Sequence, residues 1–343
     1  MTVPLPSFLV DRVPVFAAPM AGGPSTPALV IAAASAGHFG QLAAGYLTPD
    51  ALRTHIDAVR EQTAMFGVNL FVPNASSVSA EEYERYRAAL QPTADRSKVL
   101  QLPDLHEDDD WWEEKVQLLL ADPVPLVSFT FGFPPPHVVR ALRARGTITV
   151  QTVTSAAEAG AAEELGVDVL VVQSADAGGH SGVIDPLGAP SALSLPDLVA
   201  LIRQSSKLPL IGAGGIASSA AVQAVVRAGA GAVAVGTVLL RSPESGASLV
   251  HKDALIDPAF DRTVLTRAFT GRLARGLLNR FIEDHDFNAP AAYPAVHHLT
   301  KPIRTAAVAL GDPSAVHLWA GTGWRQADDR PSVEVLSSLA SEL

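Results

Sequence analysis

Cysteine is absent from the 343 residues. That one gap removes disulfides, thiolate metal sites, iron–sulfur clusters and a covalent cysteine nucleophile. Any redox chemistry therefore has to come from a bound organic cofactor or from a metal held by histidine and carboxylate. No apolar run approaches the roughly 18 residues of a membrane span. The opening stretch MTVPLPSFLVDRVPVF carries no basic leader and is broken by Pro4, Pro6 and Pro14, which makes the cytoplasm the default expectation. Basic residues are in the minority: 25 Lys and Arg against 35 Asp and Glu leave a net charge of −10 with no Lys/Arg-rich run, which argues against nucleic acid or an acidic membrane as a partner. Charged residues reach only 17% and hydrophobic residues 48%, the balance of a soluble globular chain that can bury a sizeable core.

What is present is a repeated beat of short apolar strand, glycine or proline loop, and helix. It begins at Val15 with VFAAPMAGGPSTP, where Ser25 or Thr26 is a good N-cap and Pro27 a good first residue for an Ala-rich helix over 28–36. Strands follow at 39–43 and 65–71, then 125–131, 148–153, 167–173, 208–212 and 232–235, separated by helices opened by Thr48 with Pro49, Ser155 with Glu158, Pro196 and Ser218. An open doubly wound sheet would also alternate in this way. Eight evenly spaced parallel strands favour closure, and the spacing predicts an α/β fold of the (β/α)8 TIM-barrel type. Residues 1–240 would form the barrel, with 311–343 closing its outer layer and 241–310, which leave the beat, forming a smaller C-terminal lid or substrate domain.

Between the third and fourth strands the chain makes a detour. Ser79 and Glu82 form a capping box, and HEDDDWWEEK at 106–115 opens a further helix. Clustered His and Asp raise the question of a metal. The favoured reading makes Asp108, Asp109 and Asp110 first-turn acids facing a helix dipole, with Trp111 or Trp112 turned inward and no metal bound.

Chemistry concentrates where the strands end. The sixth runs into QSADAGGHSG, so Gly178 and Gly179 let the backbone lie against a ligand and His180 stands at the carboxyl end, where parallel α/β proteins place their reacting groups. Taken alone, a histidine after a glycine pair is usually a turn residue making one hydrogen bond. The seventh and eighth strands end in Gly212, Gly214 and Gly215, and in Gly236 and Thr237, the usual phosphate site of a barrel. The spacing lacks the dinucleotide GxGxxG pattern and points to a single phosphate. Asn69 and Gln173, at the ends of strands three and six, offer paired donor and acceptor groups suited to the pyrimidine edge of a flavin. Flavin mononucleotide (FMN) is then the economical cofactor.

Five stretches carry a family likeness: APMAGGPSTP at 18–27, FGVNLFVP at 66–73, QSADAGGHSG at 173–182, GAGGI at 212–216 and FTGRLARGLLN at 269–279. Together they resemble the nitronate monooxygenases, formerly 2-nitropropane dioxygenases, over nearly the whole chain. The resemblance implies an FMN-dependent enzyme of monomeric or homodimeric form that oxidises alkyl nitronates, and possible nitroalkane precursors, with O2 to a carbonyl compound and nitrite. By position it implies that Met20, Asn69, Gln173, Gly178, Gly179, Gly214, Gly215, Gly236 and Thr237 hold FMN. It makes His180 the catalytic histidine, as a base or as an orienting group, with His137, Tyr293 and Lys301 in the substrate pocket. Two positions depart from the pattern: His297 stands where a second pocket tyrosine is expected, and Asp176 where glutamate is more usual. The competing enzyme reading is an FMN-dependent NAD(P)H reductase of the enoyl-acyl-carrier-protein or quinone reductase type. Arg267, Arg272 and Arg275 are expected to pair with carboxylates and fix the lid. His297 and His298, being adjacent, point to different sides and make a poor pair for one ion.

Overall fold

The computed structural model describes residues 2–74 and 78–343. Strands β1 (Val15–Ala17), β2 (Phe39–Ala43), β3 (Phe66–Phe71), β4 (Leu126–Thr130), β5 (Ile148–Val153) and β6 (Val169–Gln173) are followed by a two-residue β7 (Gly179–His180), then β8 (Leu210–Ala213), β9 (Ala232–Val235), β10 (Thr263–Thr266) and β11 (Ala274–Leu277). Strands β1 to β6, β8 and β9 pair in parallel into a closed barrel, sealed by Phe16 of β1 opposite Ala234 of β9. Burial on both faces explains why these strands read as continuous apolar runs rather than alternating ones.

The helices are α1 (Ser7–Val10), α2 (Pro27–Ser35), α3 (Pro49–Arg60), α4 (Ala80–Arg96), α5 (Trp112–Ala121), α6 (Pro136–Ala144), α7 (Ala156–Leu165), α8 (Leu195–Ser205), α9 (Ser219–Arg227), α10 (Leu249–Ala254), α11 (Arg280–His285), α12 (Ala295–Leu310) and α13 (Ser332–Leu339). Side-chain caps set most of the starts: Thr26 Oγ1 accepts from Leu29 N at 3.1 Å, and Ser79 with Glu82 forms the reciprocal box. Leu5 and Leu9, in and just before α1, pack with Phe16, Phe39, Leu126 and Ile211 in the barrel interior, so the N-terminal segment plugs that core.

Two expectations about the layers need correction. The layer over the barrel mouth is wider than 241–310. Its core joins Tyr83, Tyr86 and Leu90 of α4 to Phe269, Phe281 and Leu299, and takes Trp324 and Ala327 from the tail. Only the end of the tail closes the barrel, where Val335, Leu336 and Leu339 of α13 enter the barrel core. The acids at 108–110 are not in a first helical turn either. α5 begins at Trp112, while Asp110 and Trp111 adopt left-handed backbone (φ 57° and 52°). The Asp110 carboxylate is engaged by the Tyr46 N–H (2.9 Å) and the buried Lys115 ammonium (2.7 Å), so it serves the barrel rather than a helix end. Trp112 turns inward and Trp111 outward.

Candidate active site

A cavity of about 590 Å³ opens at the carboxyl ends of the barrel strands. The loops after β6, β8 and β9 meet there. Gly214 (φ +118°) lies so close to the β6 loop that a Cβ would stand 2.5 Å from Ser174 Oγ, and a Cβ on Gly178 would fall 2.5 Å from the Gly321 nitrogen. Gly321 N–H in turn donates to Thr237 Oγ1 (3.0 Å). Residues without side chains are therefore required for three backbone segments to converge. The amide groups of Gly215, Gly236 and Thr237 find no protein acceptor among the described residues, which leaves a nest of N–H donors suited to an anion.

Along the cavity wall the polar side chains are oriented by one another. Ser128 Oγ donates to Gln41 Oε1 (2.7 Å), and Asn69 Nδ2 donates to Ser128 Oγ (2.8 Å) and Thr130 Oγ1 (3.1 Å). The amide donors of Asn69 are thus spent on protein, leaving its Oδ1 as an acceptor. Gln173 does other work as well: its Oε1 accepts from Gly182 N–H (2.6 Å) and its Nε2 donates to the His180 carbonyl (3.3 Å), tying the β6 end to the following loop. Met20 lies against Gly236, whose Cβ would meet the Met20 sulfur at 3.2 Å.

His180 is delivered by a pairing that the alternating beat gives no sign of. β7 leaves the barrel and pairs antiparallel with β11, which itself pairs with β10, so His180 stands opposite Ala274. Its Nε2 is 2.9 Å from Thr270 Oγ1, which also lies 3.2 Å from the Arg272 carbonyl. Thr270 thereby anchors Nε2, and Nδ1 has no protein partner among the described residues. Phe131, Tyr293 and Trp319 surround the ring at centroid distances of 5.5, 5.7 and 5.6 Å. Burial, with the Arg272 and Arg304 cations adding to it, pushes the His180 pKa down to about 3. The imidazole is therefore neutral at pH 7.

Those two arginines are themselves unusual. Arg272 is 2% exposed, lies 4.1 Å over the Phe131 ring, and gives hydrogen bonds to the Ser181 and Val183 carbonyls, while its Nη1 is buried without an acceptor. Arg304 donates to Thr300 Oγ1 (3.1 Å) and the His297 carbonyl (2.7 Å). Burial pushes both pKa values down to about 10, leaving both charged at pH 7, and neither is paired with a carboxylate among the described residues. Arg304 lines the cavity, while Arg272 lies behind the wall against Phe131 and feels the Glu158 carboxylate only at a distance.

The comparisons with known proteins fit this geometry. The family model described as "Nitronate monooxygenase" matches residues 7–342. The chain belongs to the nitronate monooxygenase family. A relative from Staphylococcus aureus (strain Newman), "Probable nitronate monooxygenase", is 35% identical over 99% of this chain and 96% of its own length. The solved structure of nitroalkane oxidase from Streptomyces ansochromogenes superposes with a TM-score of 0.91 at 42% identity, covering 100% of this chain and 96% of that one. FabK from Thermotoga maritima follows at TM-score 0.74 and 25% identity, over 98% of this chain and 94% of that one.

In this nitronate monooxygenase family member the structure brings together Met20, Asn69, Gln173, Gly178, Gly179, His180, Gly214, Gly215, Gly236 and Thr237, with His297 and Lys301 on the same cavity. His137 is a correction. It lies exposed in the first turn of α6, outside the cavity, because the adjacent Val138 and Val139 take the buried face of that helix. Tyr293 supports the wall rather than lining it, packing edge-on to His180 and Phe131. The lid arginines hold backbone carbonyls rather than the expected carboxylates: Arg275 Nε donates to the Ala175 carbonyl at 2.6 Å and Arg267 Nη2 to that of Leu187 at 3.4 Å.

Sequence reasoning passed over Tyr46, Phe131, Thr270, Arg304 and the 319–323 segment, all on the cavity. For Arg304 a signal existed: Lys301, Arg304, Thr305 and Val308 line the cavity at helical spacing on α12. The tail segment gave none, since nothing local shows that residues 319–323 cross the barrel mouth.

Proposed function

We propose that this family member oxidises alkyl nitronates with molecular oxygen to a carbonyl compound and nitrite, using FMN held in the cavity and His180 to orient the substrate. The observation that carries the reading is a neutral imidazole beside two guanidinium groups that lack carboxylate partners, next to a nest of free backbone donors. The residues fit FMN. Gly215, Gly236 and Thr237 offer N–H groups to one phosphate, Asn69 Oδ1 offers an acceptor to a ring N–H, and the Met20 side chain offers an apolar surface. When bound, the flavin supplies the electron acceptor that this cysteine-free chain lacks.

The residues favour a nitronate over a neutral nitroalkane. A histidine whose pKa is held near 3 resists taking up a proton, so it is a weak base for carbon acids. The same Arg272 and Arg304 charges that depress it attract a substrate arriving already as an anion. Nε2 is held by Thr270, which fixes the ring and leaves Nδ1 for the substrate; the tautomer with its proton on Nδ1, Thr270 then donating to Nε2, is the one that hydrogen-bonds an anionic nitronate oxygen. Phe131, Tyr293 and Trp319 exclude water from around it.

The test is anaerobic mixing of the flavin-loaded protein with ethyl nitronate, followed by aerobic oxygen uptake with nitrite measured alongside. Bleaching by nitronate, with oxygen uptake and nitrite formation, is expected. Rapid bleaching by NADH with none by nitronate would replace this reading with a nicotinamide-dependent reductase, and protein that refuses FMN would end both.

A further inference from the structure

The HEDDD loop, which is not the start of a helix, comes to rest against α12. His298 Nε2 of α12 is 3.0 Å from Asp108 Oδ2, and His106 Nε2 is 3.7 Å from the same oxygen. The three donor atoms lie within 4.8 Å of one another. We propose that His106, Asp108 and His298 form a binding site for a divalent transition ion of the zinc type, separate from the cavity and bridging the 106–110 loop to α12.

Four observations support it. Two imidazoles and one carboxylate are the donor set of zinc and its neighbours, whereas magnesium and calcium call for oxygen alone. Ligands at about 2.1 Å on a tetrahedral ion stand about 3.4 Å apart; the observed 3.0 and 3.7 Å straddle that value, and the remaining pair, within 4.8 Å, closes by rotation of the exposed His106 side chain. The buried His298 Nε2 atom has no protein neighbour among the described residues for a polar contact other than the Asp108 oxygen at 3.0 Å, so an ion placed between them displaces no bond to a third group. Finally, Asp108 Oδ1 is already fixed by the Asp110 N–H (3.2 Å), which turns Oδ2 toward the two rings. The nearby Lys301 repels a bound cation, while Glu107 and Asp109 flank the ligand Asp108 and oppose that repulsion.

The position gives the ion a use. His297, next to His298, lines the cavity, and Asp110, two residues from Asp108, holds the backbone of Tyr46. An ion here would brace the cavity's outer wall.

The experiment is calorimetric titration of tag-free, chelator-dialysed, flavin-loaded protein with ZnCl2, with MgCl2 as the hard-cation control. One zinc per chain and no magnesium binding are expected. His106→Ala, at an exposed position that should not disturb folding, and His298→Ala should each weaken zinc by at least about tenfold, the size of effect that even a ligand's hydrogen-bonding partner produces. Flavin content should be unchanged in both variants, since neither residue lines the cavity. Absence of saturable zinc binding, equal binding of magnesium, or zinc affinity untouched by His106→Ala would overturn the site.

Discussion

Tyr46 lies flat on His297, their ring centroids 4.3 Å apart and their planes 2° from parallel. The contact joins the end of the second barrel strand to α12 and closes one side of the cavity. Tyr46 reaches it through left-handed backbone at φ 69°, and its hydroxyl lies 3.4 Å from that of Tyr293. A non-glycine residue holds such a conformation only where its surroundings fix it. Here the fixing groups are Asp110, on the Tyr46 N–H, and Lys115, which bonds both Asp110 and the Ala44 carbonyl (2.9 Å).

Lys115→Met should therefore be costly. It leaves the buried Asp110 carboxylate without its cation, a loss on the order of 3–5 kcal/mol, and the Michaelis constant for nitronate should rise as Tyr46 loosens. Urea denaturation of the single variant and of Asp110→Asn/Lys115→Met measures it. The double variant should recover part of the stability, and equal stability of wild type and single variant would show that the pair does not hold the loop.

His180→Asn should purify yellow with normal FMN content and lose about 10²-fold in kcat/KM for ethyl nitronate, the scale on which one positioned hydrogen-bonding group acts. Stopped-flow flavin reduction reads the effect. Full activity would remove His180 from the reaction.

Acid should destabilise the fold before neutral or alkaline pH does. The folded pKa values of His180 and His251 are pushed down to about 3 and about 4, from an ordinary 6.5, chiefly by burial. The unfolded chain therefore takes up protons first, and stability present above pH 6.5 is lost as the pH falls below it. Each of the two groups costs about 1.4 kcal/mol per pH unit from there down toward its folded value. Melting temperatures from pH 7 to pH 5 should fall progressively, and a flat profile would mean that these rings are not buried neutral.

Gly214→Ala should give folded but flavin-poor protein. The new methyl would sit 2.5 Å from Ser174 Oγ and 3.0 Å from the Ala177 nitrogen, on backbone at φ +118° that alanine rarely adopts. The two loops must move apart, and the nest of N–H donors with them. The ratio of flavin to protein absorbance is the measurement, and wild-type FMN affinity would show that the nest does not hold the phosphate.

Sequence alone determined the barrel, because each strand, loop and helix is a local unit whose apolar run, N-cap and turn residues lie within about thirty residues of one another. The same locality made the glycine nest and His180 readable, since they are strand ends, and strand ends of a barrel share one mouth. Tertiary structure alone decided what crosses that mouth. Tyr46 meets His297, the 319–323 segment closes on Gly178, β7 leaves the barrel for β11, and Asp108 reaches His298. His137 was lost for the related reason that a helix's outward face depends on what its other face packs against. Contacts between residues so distant in the chain leave no periodicity behind, and only the path of the folded backbone brings them within van der Waals reach.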